Sequence, residues 1–597
     1  MLWKWKERQR QWLSAERGTI RKDWGGKVRV ALAFPNRYSV GMSNLGFQSV
    51  YAALNELDYV VCERVFYPEP PDLPLLKQQP GMLLSLESQR AVQEFDLLAF
   101  SIPYENDYPH VVEMLSLAGI EPRAAHRSSE SPAVAAGGIA VILNPEPLSS
   151  FMDFFFIGEA EDMMSDLEGW WNEFQERRAD RRDFLGRFAR EVSGIYVPSL
   201  YLDTYHSDGT LRSVEPVRGT LPERIAYRRT ELSQAKPCRT VILTPETEFS
   251  DVTLIEIGRG CGRGCRFCAA GYVYRPVRTH PGTRVIEVAL DNLDRSPRVG
   301  LVSAAVSDHP EIVFICRSLL DRGASLSFSS LRADSITQEI ASSLEASHHH
   351  AVAIAPEAGS ERLRRVINKN LTVDQIHHAV EELVERGVTH LKLYFMIGLP
   401  TEADGDLDAI VDLVKAIRHR ILKTGRGRTR LGTFTLSVHS FVPKPFTPFQ
   451  WVPFAGMREL KERGKRLQRA LGKLANVRVH FDLPKWAYVQ ALLSRGDRRV
   501  APILEKVALD GVGWSQAMRS VPTNPDFWVL RQRGKDEAFP WEIIDLGLKR
   551  AFLWEEYQRA LRGESTTPCR PDENCRRCGV CTPQGDSAAI VTNSIDG

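Results

Sequence analysis

The sequence predicts an α/β protein: two successive units of parallel sheet, then a mostly helical C-terminal region. Short apolar runs alternate with helical periodicity twice along the chain, over residues 27–192 and again over 246–445. The runs are continuously apolar and bounded by Gly, Pro or Asn, as in strands buried on both faces of a parallel sheet. After Phe441 the pattern turns helical and basic.

In the first unit, Val28–Phe34, Leu97–Ser101, Ala133–Ala136 and Asp153–Gly158 are the strands, and Asn44–Leu57 and Tyr108–Ala118 carry helical spacing. This alternation predicts a doubly wound, Rossmann-like domain over 27–192, whose ligands sit beyond the carboxyl ends of the strands. Those ends carry Pro35-Asn36-Arg37-Tyr38, Ile102-Pro103-Tyr104-Glu105, Gly137-Gly138 and Gly158-Glu159. A small β-rich connector follows over 193–245, with a hairpin around His206-Ser207-Asp208-Gly209.

In the second unit the strands are Val252–Ile257, Gly300–Val306, Ser325–Ser330, Ala351–Ala355, His390–Met396 and Thr433–His439. Helical patterns separate them, so about six βα units form a partial (β/α)6 TIM-type barrel over 246–445, with its site at the strands' C-terminal ends. Residues 446–581 form a helical region ending in four cysteines, and 582–597 read as a disordered tail.

Composition narrows the function classes. The 597 residues are 43% hydrophobic and 25% charged, the balance of a globular protein. Lys plus Arg number 77 against 75 Asp plus Glu, so only a local patch can bind a polyanion. No apolar run approaches the roughly 18 residues of a membrane helix, and Met1–Trp24 lacks a signal-peptide core. The expected location is the cytoplasm, with no membrane partner.

Ten cysteines are unevenly spread. Cys62, Cys238 and Cys316 stand alone and read as small core residues. Cys261, Cys265 and Cys268 sit in Ile257-Gly258-Arg259-Gly260-Cys261-Gly262-Arg263-Gly264-Cys265-Arg266-Phe267-Cys268, at the end of a predicted strand. Three thiolates at Cys-x3-Cys-x2-Cys spacing hold three irons of a four-iron cluster and leave the fourth open. The competing readings are three buried cysteines and a structural zinc site, which wants four protein ligands. Gly258, Gly260, Gly262 and Gly264 permit the tight backbone path of a loop wrapped round a cluster.

With an aromatic, Phe267, directly before its last cysteine, this stretch resembles the signature of the radical S-adenosylmethionine superfamily. The resemblance implies that the open iron chelates the amino and carboxylate groups of S-adenosylmethionine. One-electron reduction then cleaves a sulfur–carbon bond to give a 5′-deoxyadenosyl radical, which abstracts hydrogen from a substrate. It also implies a one-electron reductant such as flavodoxin or ferredoxin. Ala355-Pro356-Glu357-Ala358-Gly359-Ser360 resembles the fourth-strand motif, which puts Glu357 on the ribose hydroxyls, where a carboxylate accepts two hydrogen bonds. Met396-Ile397-Gly398-Leu399-Pro400-Thr401-Glu402 resembles the fifth-strand motif, which puts Ile397 and Gly398 against the adenine. Ser303 falls where the methionine amino group is met, although the usual Gly-Gly-Glu is absent. Ser329, Ser330 and Arg332 are candidates for the ribose or carboxylate, with strand-end turns or caps as the alternative.

A narrower resemblance covers roughly residues 27 to 581. PNRYSVGMSNLGFQ, AFSIPYENDYPHVVEML, AGGIAVILNPEPLSSFMDFFFIGEAED, CRFCAAGYVYRPVR, APEAGSERLRRVINK, KLYFMIGLPTE and FVPKPFTPFQW together resemble a family joining an N-terminal cobalamin-binding-like domain to a radical S-adenosylmethionine core. It implies a small family-linked partner protein and supplies no substrate. A histidine-ligated cobalamin site uses Asp-x-His-x-x-Gly, and no Asp-x-His occurs here. Either cobalamin binds without a histidine ligand or, the reading favoured here, the fold persists without the cofactor.

Cys569, Cys575, Cys578 and Cys581 place four thiols within thirteen residues, enough for an auxiliary iron–sulfur cluster or a zinc ion. Lys415–Arg430 and Arg458–Arg478 are basic stretches that suit RNA phosphates or form solvated helix faces. The leading reading is a radical S-adenosylmethionine enzyme acting on an unidentified substrate, with RNA and protein as the candidates. The alternatives are a cobalamin-dependent methyltransferase and a non-catalytic, metal-stapled RNA-associated module.

Overall fold

The structure, a computed structural model, describes residues 2–171, 173, 181–329, 331–347, 350–424, 433–570 and 575–581. The expected tail at 582–597 lies outside the described residues. Among them, no helix is long and apolar enough to cross a membrane.

The run VRVALAF forms β1 (Val28–Phe34), with six of its seven residues buried. It lies inside a six-stranded sheet with β2 (Val60–Phe66), β3 (Leu97–Ser101), β4 (Ala133–Gly137), β5 (Phe154–Phe156) and β6 (Ile195–Tyr196), in the order β2-β1-β3-β4-β5-β6. The first five strands are parallel and β6 runs antiparallel to β5. The order 2-1-3-4-5 is that of a doubly wound α/β fold with its topological switch between β1 and β3. The helix Leu45–Glu56 is N-capped by Asn44, whose side chain accepts from the Phe47 N–H, which satisfies one of its free N–H groups. A helix at Leu2–Ala15 packs on this unit: Trp12 stacks on Tyr38 with ring centroids 4.5 Å apart.

A hairpin, β7 (Tyr201–Tyr205) and β8 (Leu211–Pro216), turns at the expected His206–Gly209. The short β9 (Ile225–Ala226) follows. The second unit begins with β10 (Val252–Glu256). Two short strands, β11 (Gly258–Arg259) and β12 (Arg278–Thr279), pair antiparallel and close the cysteine loop between them. Then come β13 (Arg298–Val302), β14 (Ser325–Phe328), β15 (Ala351–Glu357), β16 (His390–Ile397), β17 (Thr433–Ser440) and β18 (Val477–Phe481). They form two parallel sheets, β10-β13-β14 and β15-β16-β17-β18, linked among the described residues by the bridge between Leu331 and Ile354. Among the described residues the two sheets are not joined into one continuous barrel. β19 (Ile544–Asp545) pairs back with β9 and ties the C-terminal region to the connector.

All six expected barrel strands are present, and β18 adds a seventh parallel strand beyond Phe441, where only helix is predicted. VRVHF alternates between half-buried and exposed residues, the signature of an edge strand rather than a continuous apolar run. The first three barrel strands and their helices carry their own apolar core, around Ile255, Val285, Leu301 and Leu326.

Candidate cluster and cofactor site

The cysteine loop occupies the C-terminal end of β10, held in a hairpin by β11 and β12. Its glycines act in two ways. Gly260 (φ +85°) and Gly264 (φ +69°) take the left-handed conformation that other residues resist. At Gly258 and Gly262 another backbone passes so close that an added Cβ would fall 2.8 Å from the Arg278 carbonyl oxygen and 2.6 Å from that of Cys569. The Cys268 N–H donates to the Cys265 carbonyl at 3.1 Å, a tight turn that keeps both thiols on one loop. Cys265 is buried and Cys261 and Cys268 are half-buried. Phe267 is half-buried against the main core.

Burial raises the Cys261 thiol, and burial together with the neighbouring Cys265 and Cys261 pushes Cys268 up to about 12. The two thiols raised in this way, Cys261 and Cys268, share the loop with Cys265, and a cationic metal body favours the thiolate form of such ligands. The donor set therefore fits a cluster on Cys261, Cys265 and Cys268.

Around the loop stand charged residues from the next strand ends. Arg263 binds Asp308 at 2.5 Å and Asp334 at 3.1 Å, which pins the loop to the segments after β13 and β14. Arg332 donates to Asp334 at 3.0 Å and to the Lys369 carbonyl at 2.9 Å, and its Nη1 lies 3.9 Å from the Cys265 sulfur. Glu357 ends β15 at φ +68°, a strained position for a non-glycine residue and typical of a functional site. Its carboxylate lies 3.4 Å from Lys369 Nζ. Burial raises its pKa, and the charges of Lys369, His439 and Arg332 pull it back. His439 stacks on Tyr394 at 6.0 Å. Glu357, Arg332 and Cys265 are thus brought into one neighbourhood.

The other predicted positions are more self-contained. Ile397 is buried, and its carbonyl accepts from the Phe441 N–H at 2.9 Å. Gly398 (φ +83°) gives its N–H to Glu402 at 2.7 Å, and Glu402 also binds Arg463. The Ile397 carbonyl and the Gly398 N–H are thus already engaged within the protein. Ser303 accepts at its carbonyl from Ser329 Oγ at 2.9 Å. Ser330 lies outside the described residues.

A cavity of about 950 Å³ lies between the first sheet and the barrel. Gly138, Gly158 and Glu159 line it from the strand ends of the first sheet, Gly260 and Tyr274 from the cysteine loop, and Ser303 from the end of β13. No histidine is among its described lining residues. Cys238 also lines it, half-buried and donating to Glu161 at 3.0 Å. This corrects the reading of Cys238 as a core residue; Cys62 and Cys316 are buried as expected. Glu161, Cys238 and Glu256 bring three ligand atoms within 4.8 Å of one another. Arg259 already neutralises them, reaching Glu161, Glu256 at 2.8 Å and Glu159 at 2.8 Å. Arg278 adds a second bond to Glu159 at 2.6 Å.

This ionic cluster joins the two units and has a pH signature. Burial works to raise all three carboxyls, but Arg278 and Arg259 lower Glu159, Arg259 lowers Glu161, and His280 with Arg259 brings Glu256 down to about 2. A depressed carboxylate pKa gives stability that is full above the unfolded value and lost as pH falls through the folded one. The contacts between the units are expected to weaken between about pH 4.5 and pH 2, read as increased proteolytic cutting of the connector. An unchanged cutting pattern down to pH 2 would contradict this.

Sequence reasoning missed the partners that complete the site. Lys369, Asp334 and Asn368 lie 66 to 108 residues from the cysteines, and only the fold brings them there. Both basic stretches are partly neutralised: Arg420 binds Glu381 at 2.6 Å and Arg466 binds Asp404 at 2.7 Å and Asp408 at 2.8 Å. Arg426, Arg428 and Arg430 lie outside the described residues.

A three-cysteine loop at the mouth of a partial barrel, behind a doubly wound domain, defines a radical S-adenosylmethionine protein. Residues 255–414 match the family described as "Radical SAM superfamily", and residues 46–198 match "Radical SAM proteins, N-terminal". The chain belongs to the radical SAM superfamily, whose cofactors are a [4Fe–4S] cluster and S-adenosylmethionine. An uncharacterized protein of Methanocaldococcus jannaschii is 28% identical over 480 residues, 80% of this chain and 90% of that protein. The tRNA-2-methylthio-N(6)-dimethylallyladenosine synthase of Roseobacter denitrificans is 23% identical over 32% of this chain and 46% of that protein. Among solved structures, the radical S-adenosylmethionine methyltransferase TsrM from Kitasatospora setae, with cobalamin and a [4Fe–4S] cluster bound, aligns over 72% of this chain and 76% of its own. That alignment has 12% identity and a TM-score of 0.46.

Proposed function

We propose that this chain is a cytoplasmic radical S-adenosylmethionine enzyme that modifies an RNA or protein substrate. The carrying observation is the single loop that presents Cys261, Cys265 and Cys268 at the mouth of the barrel. In this reading the three thiolates hold the cluster, and Glu357 binds the ribose hydroxyls. The bound pair of cofactors supplies a carbon-centred radical on reduction. The protein's own part is orientation and exclusion of water. Arg332 places a positive charge beside Cys265, and Lys369 holds the Glu357 carboxylate in place. Burial of Cys265 and of Arg266 beside it keeps that side of the loop from solvent.

Two measurements test it. Reconstituted protein, reduced without oxygen in the presence of S-adenosylmethionine, is expected to release 5′-deoxyadenosine; none, with or without cell extract, would sink the reading. Glu357→Gln removes the charge and one acceptor pair. It is expected to weaken S-adenosylmethionine binding about tenfold, or ~1.4 kcal/mol, with iron content unchanged. An unaltered affinity would remove Glu357 from the site.

One observation favours a second reading, the cobalamin-dependent methyltransferase. The missing Asp-x-His argues for a lost cofactor. The 950 Å³ cavity between the strand ends of the first sheet and the cysteine loop argues for a large ligand held without a histidine. Anaerobic purification with cobalamin separates the two: a stoichiometric cobalt chromophore supports the methyltransferase.

A further inference from the structure

The four C-terminal thiols are built onto the back of the cysteine loop. The Cys569 N–H donates to the Gly262 carbonyl at 2.6 Å, at the point where no Cβ fits. Arg266, between Cys265 and Phe267, is fully buried. It donates to Glu556 at 3.2 Å, to the Thr566 hydroxyl at 3.0 Å and to the Glu564 carbonyl at 2.8 Å. Asn368 completes the joint: its Nδ2 donates to the Gly264 carbonyl at 3.0 Å, and its Oδ1 accepts from the Thr566 N–H at 2.8 Å. A buried, hydrogen-bonded arginine and a buried asparagine make this a fixed junction rather than a passing contact.

The thiol of Cys569 lies among its own group, feeling the charges of Arg275, Cys578, Cys575 and Arg577. Arg275, anchored on the Gly271 carbonyl at 2.7 Å, also hydrogen-bonds Cys578. Arg275 therefore joins the cysteine loop to the second thiol group. Spacing distinguishes what the group can hold. Tetrahedral zinc, with Zn–S near 2.3 Å, draws its sulfurs to roughly 3.8 Å from one another. Among the described residues the one set of three ligand atoms mutually within 4.8 Å is Glu161, Cys238 and Glu256. The four C-terminal sulfurs form no such set. A four-iron cluster is a body of several atoms and holds its thiolates farther apart.

We infer that Cys569, Cys575, Cys578 and Cys581 hold a second iron–sulfur cluster, docked on the loop of the first closely enough for direct electron exchange. One electron from a low-potential donor protein reduces the second cluster by one. It then passes to the first, reoxidising the second, with no bond or proton changed. This goes beyond the proposed activity, and its test reads metal and spin rather than turnover.

The test is metal analysis and electron paramagnetic resonance on the full chain purified without oxygen. Wild type is expected to carry about eight irons and almost no zinc. Cys575→Ser with Cys578→Ser, and separately Cys261→Ala with Cys265→Ala and Cys268→Ala, should each keep about four irons. The spectrum of fully reduced wild type should be broadened by spin–spin coupling that neither variant shows. About four irons plus one zinc in wild type, with the zinc surviving in the triple variant, would overturn the assignment. So would a wild-type spectrum equal to the sum of the two variants' spectra. The wild-type readings stand even if a variant fails to fold.

Discussion

Replacing Cys261, Cys265 and Cys268 with alanine is expected to reduce 5′-deoxyadenosine formation to the assay background and to remove about four irons per chain. The two losses share one cause. Each thiolate supplies a ligand that nothing else in the loop replaces. The remaining polar neighbours are already committed: Arg263 to Asp308 and Asp334, and Arg332 to Asp334 and the Lys369 carbonyl. Overall secondary structure should persist, because the loop is enclosed by the β11–β12 pairing and by Arg266. Iron analysis and chromatographic detection of the nucleoside check both. A variant that retained cleavage activity would show that the reaction occurs elsewhere.

The largest stability effect is expected at Arg64. Its side chain is fully buried in β2 and binds Glu16 at 2.7 Å and Glu87 at 2.6 Å, themselves 0% and 3% exposed. Arg64→Leu leaves two buried carboxylates facing each other without a cation, a change that costs roughly 3–5 kcal/mol. Arg64→Lys should recover only part of this, since a point charge on a flexible stem cannot fork between two carboxylates. Urea unfolding followed by tryptophan fluorescence is a suitable probe, because Trp12 stacks in this region. A loss below about 1 kcal/mol for Arg64→Leu would contradict the account of this core.

The same residue shows where sequence reasoning ends. β1 and β3 were legible because their runs are apolar throughout and buried. β2, VVCERVF, is just as buried, yet Glu63 and Arg64 break the apolar signal. Their partners come from the N-terminal segment and a distant loop, which no local window contains. β18 was hidden for the opposite reason, as a half-exposed edge strand with no apolar run. At the site, the cysteine loop was legible from its spacing and glycines, whereas Glu357 was singled out only through the resemblance of its motif. Lys369 and Arg266 were not legible: a lone lysine and arginine carry no pattern, and only burial against Glu357 and Glu556 gives them meaning. Cys238 was misread because a solitary cysteine is usually core, whereas here the interdomain cavity reaches it.

The central claim is that the cluster on Cys261, Cys265 and Cys268 leaves one iron for S-adenosylmethionine. Electron–nuclear double resonance on the reduced protein, with S-adenosylmethionine labelled at the amino nitrogen and the carboxylate oxygens, tests it most directly. The account predicts hyperfine coupling from both labels, surviving Cys575→Ser with Cys578→Ser. Absence of coupling in fully loaded protein, with every iron of that cluster ligated by the chain, would contradict it.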